Sequence, residues 1–457
     1  MTCRPMTCRL WMPLILWMLG AVLNCLVVSP ALAQTERQDR HRVPADYMSF
    51  RAAQWLERDE RVVEERPEEV LDAMALKAGD VVADVGCGSG YYARRIAHRI
   101  QPGGTVYCED IQQEMLDVFQ QLAEAEGAVG VEPVLGTLTN PMLPEGEIDW
   151  IIIADVYHEM SEPELMLAGI RAALSPDGLV ALLEYRVEDG TGDHVKADHT
   201  MSARQVLREW KAAGFELVEL HDFLPGQHLF FFRPAGSDTE SEVIRDHDLF
   251  EAIESGLVEV ETSGDGEEAV TVRIRRVGAT PIVVTLPVGV HFTSAAGVHD
   301  MIGRRDGWIV LSDDEWHDWS IRTIRRRGEA PGPGDRLAIL PPGTNPRLDE
   351  LMYQIQVGTY AVADSPTLYP PRTHQLEQAA VWITELDLSY DDLVPLLNDP
   401  RISPQYAVAF ALVFVDRSGT DVTDRKIWND RERVFSGLRD RGLEAWYQIK
   451  TTGQFTR

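Results

Sequence analysis

Residues 81–92 read VVADVGCGSGYY. An apolar run enters Asp84, a turn punctuated by Gly86, Gly88 and Gly90 follows, and two tyrosines open a helix-like stretch. The pattern predicts a buried strand, a tight turn and a helix start. Glycine lets the backbone turn sharply and lie against a ligand. A helix start offers unpaired N–H groups to whatever is bound. The GxGxG spacing departs from the GxGxxG of a dinucleotide fold and disfavours a nicotinamide-dependent dehydrogenase. Asp84, just before the turn, suits a ligand with ammonium or hydroxyl groups better than a pyrophosphate.

Strand-like and helix-like runs alternate on both sides of this stretch. Pro67 opens a helix, with Glu68 and Glu69 in its first turn. A second strand over 106–111, VYCEDI, ends in Glu109 and Asp110, and a helix follows over 113–124. Residues 131–135 form a third strand, with Gly136 and Thr137 behind it. The run WIIIA at 150–154 is apolar enough for a central parallel strand and leads into Asp155, Tyr157, His158 and Glu159. A helix over 163–173, a turn at 176–178 and a strand over 179–183 come next, and Glu184 and Tyr185 emerge at the same face. Ligands of doubly wound sheets bind beyond the carboxyl ends of such strands. Asp155 there either holds a polar group of a ligand or caps the next element. His158 takes or orients a proton near neutral pH, or braces the following helix. Tyr157 either orients a substrate atom or walls the pocket. The loop with His194, Lys196 and His199 either covers a substrate pocket or is an ordinary solvated loop. A metal site is a further reading, but the loop lacks a tight ligand pattern and none is assigned. Strands over 215–221 and 229–232 close the unit.

DVGCGSG resembles the first motif of class I S-adenosylmethionine-dependent methyltransferases, whose loop wraps the methionine part of the cofactor. Residues 106–111 are similar to that family's second strand, which ends in an acid holding the ribose hydroxyls. The resemblance covers about residues 60–234 and is closest to the small-molecule enzymes of ubiquinone and menaquinone biosynthesis. It implies an α/β fold, a doubly wound Rossmann-like sheet whose last strands form an antiparallel edge. It implies S-adenosyl-L-methionine as cofactor, with Asp84, Gly86, Gly88, Gly90, Glu109, Asp110, Thr137 and Asp155 around it. Asp110 is the preferred ribose ligand. Many relatives place an acid near Thr137 for the adenine amino group; this chain departs from that, and Thr137 either takes the contact or shapes the turn. Tyr157, His158, Lys196 and His199 are the catalytic candidates. The implied chemistry is direct displacement at the sulfonium methyl by a small-molecule acceptor held in line, with catalysis mostly from positioning and water exclusion.

The chain has 457 residues, room for two or three domains. It carries 73 acidic and 43 basic side chains, net −30, which argues against nucleic acid or anionic lipid as partners. Residues 1–33 pair a basic start with an apolar stretch and Ala31-Leu32-Ala33, the signal-peptide pattern. The expectation is a periplasmic or secreted protein, with membrane contact only if the leader stays as an anchor. Of five cysteines, Cys3, Cys8 and Cys25 fall in the leader. Cys87 and Cys108 read as two small residues beside the cofactor, although a bridge between adjacent strand ends is conceivable. After an N-terminal arm (34–66) and the methyltransferase-like unit (67–236), short β-branched runs over 257–327 predict a β-sandwich-like domain. Within it, Trp316, His317 and Trp319 read either as a binding patch or as scattered and core aromatics, and Arg325–Arg327 as a solvated turn or, more sharply, an anion contact. Residues 346–457 predict a helical or mixed region, in which 407–414 fits a buried strand or helix. The competing reading is a secreted binding or structural protein whose methyltransferase-like domain is inactive.

Overall fold

In the computed structural model, residues 44–236, 244–266, 268–343, 345–358, 370 and 372–453 are described. The expected leader lies outside them. Its cleavage point and Cys3, Cys8 and Cys25 do too.

The first unit is built on one seven-stranded sheet. Its strands are β1 (Val81–Val85), β2 (Thr105–Asp110), β3 (Val131–Leu135), β4 (Ile148–Ala154), β5 (Leu174–Tyr185), β6 (Phe215–His221) and β7 (Gln227–Pro234). They lie in the order β3-β2-β1-β4-β5-β7-β6. β1 to β5 are parallel, and β7 is antiparallel to both β5 and β6. The antiparallel edge is therefore the expected one. The expected turn at 176–178 instead falls within β5, whose pairing with β4 shifts register between Ile148 and Trp150.

Both faces of this sheet are buried, which is why its central strands are nearly continuous apolar runs. Side chains alternate across it. Ala83, Val85, Ile151 and Ile153 face a core shared with α5 (Pro163–Ala173) and α6 (Ala203–Ala212). Val82 and Ile152 face the opposite core with α3 (Tyr91–Arg99) and α4 (Gln113–Glu126). The arm precedes these with α1 (Arg61–Glu65), and α2 (Pro67–Ala73) starts on proline. After β3 the chain returns past β1 to start β4, so the strand order reverses between β1 and β4. Such a switch opens a crevice at the carboxyl ends.

The second unit has two sheets. The larger has the order β16-β12-β13-β15-β10-β9 and the smaller β14-β11-β8. Here β8 is Arg245–Asp248, β9 Val258–Gly264, β10 Ala269–Arg276, β11 Ile282–Leu286 and β12 His291–Thr293. β13 is His299–Gly303, β14 Gly307–Leu311, β15 His317–Gly328 and β16 Ala338–Leu340. Ile282, Val284 and Leu286 of β11 point into the core between the two sheets. Val283 points the other way and joins the core of the first unit. One strand of period two thus welds the units together. The strands β8 and β16 extend the sandwich beyond the expected 257–327, because β8 adds a parallel edge to β11 and β16 pairs with β12.

The expected solvated turn at Arg325–Arg327 is a correction, for these residues lie within β15. Arg326 binds Asp300 at 3.2 Å and Glu385 at 2.7 Å, and the Arg325 guanidinium lies over Trp382. The aromatics at 316–319 are split: Trp319 packs into the sandwich core, and Trp316 lies beneath Arg273 and Arg275.

Beyond residue 345 every regular element among the described residues is helical. Residues 407–415 are buried all round and lie in a helix, Pro404–Arg417. A helix apolar on every side belongs in the middle of a bundle. It packs with Pro346–Val357 and His374–Leu386 around a single apolar cluster.

Candidate active site

The reversal of strand order opens a cavity of about 1080 Å³ beyond the ends of β1, β2, β4 and β5. Its wall includes Asp84, Gly86, Gly88, Glu109, Asp110, Thr137, Asp155, His158, Lys196 and His199.

The glycine turn forms one side. Gly86, Gly88 and Gly90 all have positive φ, 70°, 55° and 76°. A Cβ on Gly86 would stand 2.5 Å from the Val156 side chain, and one on Gly88 would stand 2.8 Å from Leu56. Their N–H groups are organised by the two acids of β2. The Gly86 N–H donates to Glu109 Oε2 at 3.2 Å, and the Gly88 N–H donates to Asp110 Oδ2 at 3.1 Å. Gly90 lies off the cavity wall, and its missing side chain makes room at the start of α3 for Phe119 of α4. Cys87 and Cys108 are a second correction. They form a disulfide, because parallel pairing of β1 and β2 sets their Cα atoms 5.5 Å apart. The bridge fastens the turn to the second strand.

Four acids crowd this half. Asp84 accepts the Ala93 N–H at 2.9 Å, near the start of α3, and burial pushes its carboxyl up to about 7. Glu109 is pushed by burial to about 8, and its Oε1 is buried without a hydrogen-bond partner. Asp110 also accepts the Gln112 N–H at 2.8 Å, and burial raises it. Asp155 has φ 55° and accepts from Gln227 at 2.7 Å. Burial first, then the Glu65 carboxylate, lift it well above the ordinary range, and its Oδ1 is also unpartnered. A cavity so rich in carboxyl groups suits a ligand with hydroxyl, amino or ammonium groups. Thr137 is exposed and shapes a turn through Asn140 N–H at 3.0 Å, yet it still borders the cavity.

The arm supplies a wall that composition did not announce. Met48, Leu56, Arg61 and Glu65 line the cavity. Arg61 and Glu65 form a buried two-bond pair, each bond 2.7 Å, and the guanidinium also stacks on Tyr91 at 3.9 Å. The sequence signal was the i, i+4 spacing of opposite charges.

The other side is polar. His158 is 5% exposed. Glu184 holds it twice, accepting its backbone N–H at 3.1 Å and meeting Nδ1 at 2.7 Å. Nε2 is left without a partner. Glu159 follows, accepting the Met48 N–H; burial, then Glu184 and Asp110, push its carboxyl up to about 8. His199 approaches from the 191–201 loop with its Nδ1 2.8 Å from Asp198, and its ring centroid lies 5.0 Å from that of His158. Lys196 is exposed on the same loop. Tyr157 is a third correction. It is fully buried on the far side, where its hydroxyl donates to Glu209 at 2.8 Å and its ring packs against Trp210. The one-residue step from Tyr157 to His158 turns the two side chains to opposite sides of a short 3-10 helix, Tyr157–Glu159. Glu159 and Glu184 were the members that sequence reasoning left without a role.

Residues 82–178 match a protein family described as "Methyltransferase domain". The chain is 26% identical over 117 residues to a demethylmenaquinone methyltransferase of Geobacillus kaustophilus, covering 26% of this chain and 50% of that protein. It is 33% identical over 115 residues to nocamycin O-methyltransferase of Saccharothrix syringae, covering 25% of this chain and 40% of that protein. A crystal structure of a SAM-dependent methyltransferase from Aquifex aeolicus is similar with TM-score 0.38 and 24% identity, covering 41% of this chain and 98% of that one. The chain thus spans about half or less of the length of these curated relatives.

Proposed function

We propose that this chain, whose α/β unit belongs to the class I S-adenosylmethionine-dependent methyltransferases, transfers a methyl group from that cofactor to a small-molecule acceptor. The observation that carries the reading is the bond from the Gly88 N–H to Asp110, 3.1 Å long. It sets an acid of the second strand beside the glycine turn, on the wall of an acid-lined cavity.

The donor set fits the cofactor. Asp110 would take the ribose hydroxyls. Glu109 Oε1 and Asp155 Oδ1 are buried polar atoms without partners, which the cofactor's hydroxyl, ammonium and amino groups would meet. Bound there, the cofactor supplies an electrophilic methyl on a sulfonium centre. The chain's own part is positioning. The disulfide fixes the turn, the arm covers it through Leu56, and Met48, Met160 and Met166 give apolar surface that excludes water. His158, Glu159 and His199 would face the acceptor. Its identity stays at the level of a small molecule.

The same reading includes export. The leader pattern supports it, and so does a disulfide joining the two cysteines outside that leader, since such bridges persist in oxidising compartments.

The test is transfer of labelled methyl from S-adenosylmethionine to a panel of phenol, quinol, amine and thiol acceptors, with Asp110→Ala alongside. Label should move with the wild type and fall by about 30-fold in the variant at subsaturating cofactor, the equivalent of about 2 kcal/mol of charge-assisted bonding. A variant as active as the wild type would remove Asp110 from the site.

A further inference from the structure

We propose that His158, Glu159 and His199 bind a divalent transition-metal ion of the zinc and iron(II) class inside the cavity. One ligand atom from each of the three lies within 4.8 Å of the other two. Two imidazoles and one carboxylate form a ligand set that leaves coordination positions open.

Three features point to an ion rather than to ordinary packing. Each imidazole has its Nδ1 against a carboxylate, Glu184 at 2.7 Å for His158 and Asp198 at 2.8 Å for His199. That leaves Nε2 as the coordinating atom on both rings and fixes their tautomers, as outer carboxylates do around metal-bound histidines. The second feature is His158 Nε2, buried and without a hydrogen-bond partner. A polar atom so placed is costly unless something meets it. The third is composition. Carboxyl groups of Glu184 and Asp198 back the two imidazoles, and Glu159 stands beside them.

Bonds of about 2.0–2.2 Å to one ion put ligand atoms roughly 3.0–3.5 Å apart. His158 is held rigidly by its two bonds to Glu184. Glu159 and His199 are only half-buried, so rotation of their side chains closes the remaining gap.

All three residues line the cavity, so an acceptor's hydroxyl or thiol that reached the ion would lose its proton more readily. That use rests on the methyl-transfer reading; the metal site does not.

The experiment is a Co(II) titration of the purified full chain, followed by visible absorption and by competition with Zn(II). Wild type should bind one equivalent with a d–d spectrum, displaced by Zn(II). His199→Ala and Glu159→Gln should each weaken binding by at least about 100-fold, and Asp198→Asn by about 10-fold. S-adenosylhomocysteine titrations on the same samples report whether the cofactor half is intact. Variants that still bind S-adenosylhomocysteine but take up Co(II) as tightly as wild type would overturn the site. So would a folded wild type that takes up none. Metal binding without any S-adenosylhomocysteine binding would instead sink the methyl-transfer reading and leave the metal site standing.

Discussion

Arg372 donates to Thr200 Oγ1 at 2.7 Å, across 172 positions of sequence. The same guanidinium donates to the Ala197 carbonyl at 3.2 Å. The helical C-terminal region therefore grips the loop that carries Lys196 and His199 to the cavity. Arg372→Ala should free that loop without touching the cofactor half. Hydrogen exchange should quicken at Val195 and Thr200, whose N–H groups are bonded within the loop, while S-adenosylhomocysteine affinity holds. Unchanged exchange at both would contradict the grip.

Asp306 joins all three parts of the molecule. It accepts from Ser202 at 2.6 Å, from the Val288 N–H at 2.7 Å and from Gln356 at 3.1 Å. Ser202 is also the N-cap of α6, so one carboxylate orients a helix start, a sandwich turn and a C-terminal helix. Asp306→Ala leaves several buried donors unpaired and should cost about 3 kcal/mol of stability. Urea denaturation measures it; a loss below about 1 kcal/mol would mean water replaces the carboxylate.

Two buried acids set opposite pH trends. Burial holds Glu109 up at about 8, against an ordinary 4.5. The folded chain then binds more protons than the unfolded one between those values, so this group favours the fold at low pH and loses that advantage as pH rises toward about 8. Burial also pushes Glu377 up, but Arg304 and Arg305 override it and hold the carboxyl far below its usual range. That group stabilises the fold above the ordinary carboxylate range and loses its contribution as pH falls through its own lowered value. The cofactor-free chain should be most stable at mildly acidic pH. Glu109→Gln should flatten the alkaline limb, whose slope from one group is at most about 1.4 kcal/mol per pH unit. An unaltered limb in the variant would place the titration elsewhere.

The Cys87–Cys108 bridge closes a loop with a sequence separation of 21. A crosslink of that span contributes about 3 kcal/mol in the chain-entropy account. Cys108→Ser should lower stability by about that amount and weaken cofactor binding, because the glycine turn loses its tie to β2. Equal affinities in the two forms, measured by calorimetry, would show that backbone pairing alone holds the turn.

Much of the first unit was legible because its signals are local. Apolar runs, glycines needing positive φ and acids at strand ends lie within a few residues of one another around Asp84 and Asp110. What escaped was non-local. Cys87 and Cys108 become partners only once β1 and β2 pair in register. Leu56 and Arg61 precede the fold-defining strand and reach the cavity only by packing across the turn. His158, Glu159 and His199 come from two segments about 40 positions apart, a spacing with no ligand pattern to read. Tyr157 misled because strand-end position predicts the face of the sheet but not which neighbour turns inward on a 3-10 step. In the second half, β8 was hidden by its polar sequence, RDHD, which shows no strand pattern until β11 lies beside it.

The measurement that bears most directly on the account is calorimetric titration of the folded, disulfide-bonded chain with S-adenosylmethionine and S-adenosylhomocysteine. One site is expected for each, at about −8 kcal/mol, the micromolar range. A cooperatively folded sample that releases no heat with either ligand would contradict it.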